Sequence, residues 1–472
     1  MNAVTPAPAA AAATTAAPAQ SQSGMNPRTR LLLEGPILPT LLRLAWPNTL
    51  VMLAQASVGL IETWWVSHLG TDALAGLALV FPGYMLMQML SAGSIGGGIS
   101  SAIARALGGG RRADADALVS HALLINGGLG LFFSALFLLF GREFYQALGG
   151  GGAALDAALA YSDVVFAGAV LVWLGNAFAS VLRGTGNMLL PSIAIILGVV
   201  LLLPLSPLLI YGLGPVPALG VAGAGWAVVI ASAVTAALLG WAVFTGRSIA
   251  RPRRTRLQAR LFMDILRVGA VASVSTFQTT ATVALTTALV AHAGGTDAVA
   301  GYGTGSRLEY LLIPLVFGLG APLVALVGTN IGAGQRQRAL RIAMTGGGIA
   351  FLASEAVGVA AAIWPRAWLG LFGTDPAMLE TGSAYLRLVG PAYGFFGIGL
   401  ALYFASQGAG RLLWPLATGF LRLVVAVMGG LLALWLGLGL TGVFTALAVA
   451  LVAYGALLAS LVGAGVWFRE RG

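Results

Sequence analysis

From about Leu41 onward the chain is a succession of apolar runs, each about 20–25 residues long, broken by Gly, Pro or Arg and returning about every 35–40 residues. A run of that length crosses the hydrocarbon layer of a bilayer as a helix. In lipid each backbone N–H and C=O must be satisfied within its own segment, so repeated runs of this kind specify a bundle of helices. The charge content agrees: only 8% of the 472 residues are Asp, Glu, Lys or Arg, against about 25% in soluble domains. With a mean hydropathy of +0.92, no water-exposed surface could be covered. That excludes an ordinary cytosolic enzyme, a nucleic-acid-binding protein and a disordered scaffold. The expected fold class is an all-α integral membrane protein with 12 transmembrane helices, at approximately 45–67, 74–104, 117–140, 158–182, 188–212, 220–244, 265–292, 298–327, 341–364, 379–405, 412–437 and 440–467.

The arginines orient these spans. The chain has no Lys, so all 25 basic residues are Arg. With both termini cytoplasmic, 18 of them, including Arg111, Arg112, Arg183 and the cluster at 247–260, fall on the inner side. Only Arg142 and Arg366 fall outside, a strong positive-inside bias that also favours an even number of spans. The net charge of +10 then faces anionic lipid, and nucleic acid is not needed to explain it. There is no Cys, which removes disulfides, thiolate metal sites and Cys nucleophiles. Without Lys, a P-loop or Schiff-base lysine is impossible. Residues 1–40 are expected to form a disordered cytoplasmic tail, since the first residues are Ala, Pro, Thr, Ser and Gln in no helical pattern.

An internal repeat organises the rest. GTDALAG at 70–76 returns as GTDAVAG at 295–301, an offset of 225 that also aligns ALGGGRR (106–112) with IGAGQRQ (331–337). LRGTGNMLLP (182–191) matches SQGAGRLLWP (406–415) at 224, and GVAG (220–223) matches GLTG (439–442) at 219. Four landmarks in order imply two six-helix lobes, 41–245 and 263–468, joined by an Arg-rich cytoplasmic linker, 246–262. Six helices per half give both lobes the same orientation, so the pseudo-two-fold axis runs along the membrane normal.

The same landmarks resemble the multidrug and toxic compound extrusion (MATE) transporters. The resemblance rests on WPNTLVMLAQASVGLIETWWVSHLGTDALAG (46–76), on GGGRRADA after the second span and LVGTNIGAGQRQRA after the eighth, and on RGTGNMLLP and SQGAGRLLWP after the fourth and tenth. It covers about residues 40–467. Two positions depart from the family pattern. The acidic residue of the first span is Glu62, where many members carry Asp, and the seventh span has neither Pro nor carboxylate. The resemblance therefore does not extend to a sodium site built on a seventh-span carboxylate.

Ionisable groups inside a membrane are costly, by about 2.5–3.5 kcal/mol each on insertion scales, and mark candidate sites. Glu62 lies in the first span, and Asn48, Gln55 and Glu62 share one face at spacings of seven. The 225 offset maps them onto Ser273, Thr280 and Thr287 in the seventh span. The two polar stripes would either line a shared hydrated cavity or bridge helices by hydrogen bonds. Glu309 sits at similar depth in the eighth span. Arg307, two residues earlier, points to another face, so the two are not expected to pair. The repeat equivalent of Glu309 is Tyr84, with Gln88 on the same face. A carboxylate in one lobe and an aromatic in the other suit an amphipathic cation; the alternative is a buried Arg–Glu network that locks helices. Trp64 and Trp65 are interfacial anchors, and Trp65 is also a candidate wall of the cavity. His68, His121 and His292 lack ligand spacing, so no metal site is expected.

The expected function is that of a secondary active antiporter rather than an enzyme. It exports organic, cationic or amphipathic compounds by alternating access, driven by influx of H⁺ or Na⁺ exchanged on Glu62. It needs no cofactor beyond that ion. Its partners are small-molecule substrates and membrane lipid, with no nucleic acid, and it is expected to be a monomer in a bacterial-type inner membrane. The alternative is a lipid-linked glycan or lipid flippase of a related superfamily, which should line its cavity with several cations.

Overall fold

The computed structural model describes residues 25–253 and 255–468. Each apolar run is helical. We number the spanning helices α1 to α12. They are α1 (Ile37–Ser67), α2 (Thr71–Gly108), α3 (Arg112–Ala147), α4 (Gly152–Ala167 continued by Ala169–Gly184), α5 (Leu189–Tyr211) and α6 (Val221–Phe244). The second set comprises α7 and α8, which are the two limbs of Ala259–Gly332, then α9 (Arg336–Ile363), α10 (Pro376–Ala409), α11 (Leu413–Trp435) and α12 (Gly439–Gly463). No strand occurs among the described residues. The fold is thus all-helical, in two lobes of six spans.

The repeat has a stereochemical basis. Gly70, between α1 and α2, has φ 107°, and its equivalent Gly295, between α7 and α8, has φ 69°. Gly186 (φ 77°) and Gly410 (φ 71°), after α4 and α10, form a second such pair. A left-handed backbone at a tight inter-helix turn selects Gly in both halves. The breaks repeat as well: α4 bends by 48° at Gly168, and α10 passes through a 3-10 turn at Gly390–Ala392. Inside α2, Met89–Ile95 is a π-helical segment, a distortion frequent at functional sites.

Each lobe has its own core. In the N-lobe Phe137 stacks on Phe166 with ring centroids 3.9 Å apart, and Phe133 tilts against the fully buried Trp173. In the C-lobe Tyr302, Tyr385 and Phe444 pack edge-to-face and stacked. The lobes exchange ends. Leu41 and Ala45 of α1 sit in a cluster with Val316 and Leu323 of α8. Reciprocally, Leu261 and Ile265 of α7 join the N-lobe core.

The lobes are fastened at the end that carries the 246–258 linker. There Asn48 of α1 donates to the carbonyls of Phe317 (3.0 Å) and Gly318 (3.2 Å) of α8. Gln407 of α10 donates to Gly93 O at 3.1 Å. Where α2 crosses α8, a Cβ on Gly108 would overlap the Thr329 carbonyl, and one on Gly332 would overlap that of Arg105. Small residues therefore let the backbones meet.

The linker folds onto the start of α3. Arg112 donates to Ile249 O (2.8 Å), Arg251 N–H to Asp116 (2.9 Å) and Gln258 N–H to His121 Nε2 (3.0 Å), while Arg260 pairs with Asp114 at 2.9 Å. One expectation needs correction. Residues 1–24 lie outside the described residues, but Pro27–Glu34, placed by the sequence in a disordered tail, forms a helix and α1 already begins at Ile37. Asn26 caps that short helix through Arg28 N–H, Pro27 opens it, and Leu32 and Leu33 are buried. Burial of Leu32 in the C-lobe cluster and the Asn330 side-chain bond to Leu32 O (3.0 Å) hold it there.

Candidate functional site

A cavity of about 390 Å³ opens inside the N-lobe, walled by α1, α2, α4, α5 and α6. From α1 it receives Gln55, Gly59 and Glu62, and from α2 Tyr84, Gln88 and Ala92. Among the described residues Glu62 is the only charged one lining it, and its Oε1 is buried without a hydrogen-bond partner. On the opposite wall Asn176 of α4 donates to Gln88 Oε1 (3.2 Å) and to Ser91 Oγ (2.9 Å), and Gln88 in turn donates to Tyr84 OH (2.9 Å). That chain fixes the amide and leaves the Tyr84 hydroxyl proton free to donate into the cavity. A buried carboxylate oxygen with nothing donating to it must take up a proton, a metal cation or a ligand cation, or remain costly.

The C-lobe encloses a smaller cavity of about 80 Å³, lined by Thr282 and Thr286 of α7, Ser306 and Glu309 of α8, Tyr385 of α10 and Arg422 of α11, among others. Glu309 differs from Glu62 in being paired: Arg422 reaches its Oε1 at 3.1 Å and Tyr385 OH approaches Oε2 at 3.5 Å. The guanidinium also lies over Phe396, 5.2 Å from its centroid. A third cavity, of about 100 Å³, lies between the lobes on the linker side and is lined by Asn48, Ser100, Ser180, Arg183, Phe317 and Gln407, among others.

The structure thus brings Glu62, Gln55, Tyr84 and Gln88 together and separates the remaining candidates from them. Asn48 fastens α1 to α8 and borders the interlobe cavity. Trp65 is half-buried on the N-lobe core, its ring 4.6 Å from Trp64 and 6.2 Å from Tyr211, and it does not line the N-lobe cavity. Ser273, Thr280 and Thr287 each bond a carbonyl one turn back in α7, and none lines the C-lobe cavity. The α7 face that does so is Thr279, Thr282 and Thr286. Gln278 donates to Gly419 O of α11 at 2.8 Å and so sets that rotation. Arg307 is exposed, over Phe372 at 5.6 Å, and does not pair with Glu309.

Three polar residues escaped the sequence reading. Arg422 stands as a lone charge inside the eleventh span, a signal that was legible. Asn176, one residue in an apolar span, carried a weaker one. Arg183 was counted with the arginines of the inner surface. Elsewhere, Glu355 of α9 accepts from Gly394 N–H at 2.8 Å, just past the break in α10. No group of three or more His, Asp or Glu side chains able to hold a metal ion occurs among the described residues.

Comparison with known proteins gives consistent findings. The family model MatE matches residues 47–208 and again 270–432, once per lobe. A probable multidrug resistance protein NorM of Deinococcus radiodurans is 30% identical over 457 residues, covering 91% of each chain. An FAD transporter of Shewanella oneidensis is 29% identical over 410 residues, covering 84% of this chain and 88% of its own. Among solved structures, MATE in the bent conformation superposes with a TM-score of 0.86 at 26% identity, over 94% of this chain and 98% of that one. An outward-facing multidrug resistance MATE transporter gives 0.86 at 25%, over 94% and 100%.

Proposed function

The chain belongs to the multidrug and toxic compound extrusion family, is accordingly a membrane transporter and not an enzyme, and on that premise we propose that it exports organic, cationic or amphipathic compounds in exchange for an inward-moving cation. The observation that carries the reading is Glu62, the one charge lining the N-lobe cavity among the described residues, with a buried oxygen that none of them satisfies. A cation of the substrate and a coupling H⁺ or Na⁺ would each answer the same need. Because one carboxylate serves both, they compete for it, and competition at one site is what couples their opposite movements. Gln55, Tyr84 and Gln88 supply the polar contacts around it, and the apolar wall of α5 and α6 takes the hydrophobic body.

The interlobe contacts support a reading of alternating access. The lobes are joined at the linker side through Asn48, Gln407 and the Gly-bearing crossing of α2 with α8. The positive-inside bias of the arginines supports taking that side as the cytoplasmic one. In this arrangement the cytoplasmic path is shut, and export proceeds as the lobes rock about their shared contacts. The flippase alternative is not favoured: the N-lobe cavity holds a carboxylate and no arginine.

Inverted membrane vesicles supplied from outside with a fluorescent organic cation, under an imposed pH gradient or an imposed sodium gradient, test the proposal. The gradient that drives uptake identifies the coupling ion. Glu62→Gln, which keeps the shape and removes the charge, should abolish gradient-driven uptake while the purified variant keeps its elution profile. Undiminished uptake by Glu62→Gln would sink the assignment.

A further inference from the structure

The interlobe cavity contains a cation that the antiport reading does not use. Among the described residues Arg183, at the end of α4, is the only charged one lining it, and no hydrogen bond, ion pair or ring engages its guanidinium. Arg105, on α2 nearby, is different: it donates to Ser101 and to Gly408 O. An arginine within a helix bundle normally pairs with a carboxylate or with carbonyls, because a lone buried charge is expensive. Around Arg183 the lining polar side chains Ser100, Ser180, Asn48 and Gln407 are all neutral. Asn48, Ser100 and one Gln407 N–H already donate to backbone carbonyls, which leaves the Ser180 hydroxyl and the second Gln407 N–H to donate into the cavity. An unpaired cationic fork with no carboxylate beside it and two uncommitted donors at hand is suited to an anion.

The position adds a second argument. The cavity straddles the pseudo-two-fold axis: Ala92 and Phe317 line it as repeat equivalents, as do Ser180 and Phe404, and Arg183 and Gln407. The C-lobe members are apolar or neutral, so the charge is confined to one side of an otherwise matched floor. Ala92, in the π-helical segment of α2, lines both this cavity and the N-lobe cavity. Asn176, Ser180 and Arg183 descend one face of α4 at spacings of four and three, from one cavity to the other. With about 100 Å³, the floor has room for about three waters, enough for a small acidic group and too little for an aromatic body.

We propose that Arg183 anchors an anion site at the floor between the lobes, which takes the carboxylate or phosphate of an amphipathic substrate whose body occupies the N-lobe cavity. This rests on the export reading above and extends its substrate class from cations to acids and zwitterions. Glu62 would meet the cationic or protonated end and Arg183 the acidic end, so one pathway could sort ligands by charge.

The test uses two fluorescent probes with the same ring system, pyrenebutyrate and its trimethylammonium counterpart, with the full-length protein in nanodiscs of zwitterionic lipid. Arg183→Gln should weaken pyrenebutyrate binding by about 10- to 100-fold, the value of a charge-assisted pair, and leave the ammonium probe within about twofold. Arg183→Lys should restore part of the affinity, which a purely structural role would not predict. Equal weakening of both probes, or of neither, overturns the proposal. So does loss of the acid probe's Arg183 dependence when phosphatidylglycerol is added, since the occupant is then a lipid phosphate. If instead the ammonium probe is not transported under either gradient while acid binding still needs Arg183, the cation-export reading fails and the anion site stands.

Discussion

Removing one partner of the Glu309–Arg422 pair should destabilise the C-lobe far more than removing both. The two side chains are 21% and 15% exposed and meet at 3.1 Å. At that distance the attraction is about 5 kcal/mol for an effective dielectric constant of about 20, and most of it is offset by taking two ions out of water. The net contribution of the pair is therefore small, while the penalty for a lone survivor is large. Glu309→Gln leaves the Arg422 guanidinium among Phe396, Tyr454 and Tyr385 without its counter-charge. Arg422→Met leaves the carboxylate with only the long Tyr385 contact. Each single change should cost about 3–5 kcal/mol. The double variant Glu309→Gln/Arg422→Met should recover enough to give an interaction energy of at least about 2 kcal/mol. Unfolding in mixed detergent–SDS micelles, followed by tryptophan fluorescence, measures all four proteins. Single-variant losses that simply add in the double variant, with an interaction below about 0.5 kcal/mol, would refute the pairing and with it the view that α8 and α11 are locked by charge.

Two other perturbations probe the moving parts. Gly108→Ala places a methyl against the Thr329 carbonyl, and an overpacked crossing of this kind costs about 1–3 kcal/mol. In the rocking motion proposed above only the linker-closed arrangement needs the close approach, so spin labels across the lobes at the linker end should report a population shifted toward separation. An unchanged distance distribution would show that α2 and α8 do not gate there. At the break in α10, Glu355→Ala removes the acceptor of Gly394 N–H and should cost about 1–3 kcal/mol. Glu355→Gln, which keeps an oxygen acceptor, should retain most of the stability in the same SDS titration. Equal losses would mean that the carboxylate's charge, not its hydrogen bond, supports the break.

What the chain's own order of residues determined is what depends on periodicity and on solvent. Apolar runs long enough to span a bilayer can satisfy their backbones only as helices, and all twelve expected spans coincide with helices, most to within a few residues, with longer ends such as the start of α1 and the end of α3. The repeat was legible because its landmarks are turn glycines, Gly70 with Gly295 above all, whose left-handed backbone no other residue adopts as readily. The pairing of Tyr84 with Glu309 by offset also places both on cavity walls, one in each lobe.

Tertiary packing alone decided which way each face turns and what stands opposite it. An offset of 225 transfers a residue's place along the chain, but helix rotation is set by neighbours. α7 commits Gln278 to the backbone of α11, which puts Thr279, Thr282 and Thr286 on the cavity in place of Ser273, Thr280 and Thr287. The same holds for the charges. Sequence position could say that Glu62, Glu309 and Arg422 lie within spans, while it left Arg183 among the arginines of the inner surface. Only the packed bundle shows that Glu309 is neutralised by Arg422 across about 113 residues of chain, while Glu62 and Arg183 face cavities with no opposite charge beside them. A partner's distance is a property of helices brought together from far apart in the chain, and no local pattern encodes it.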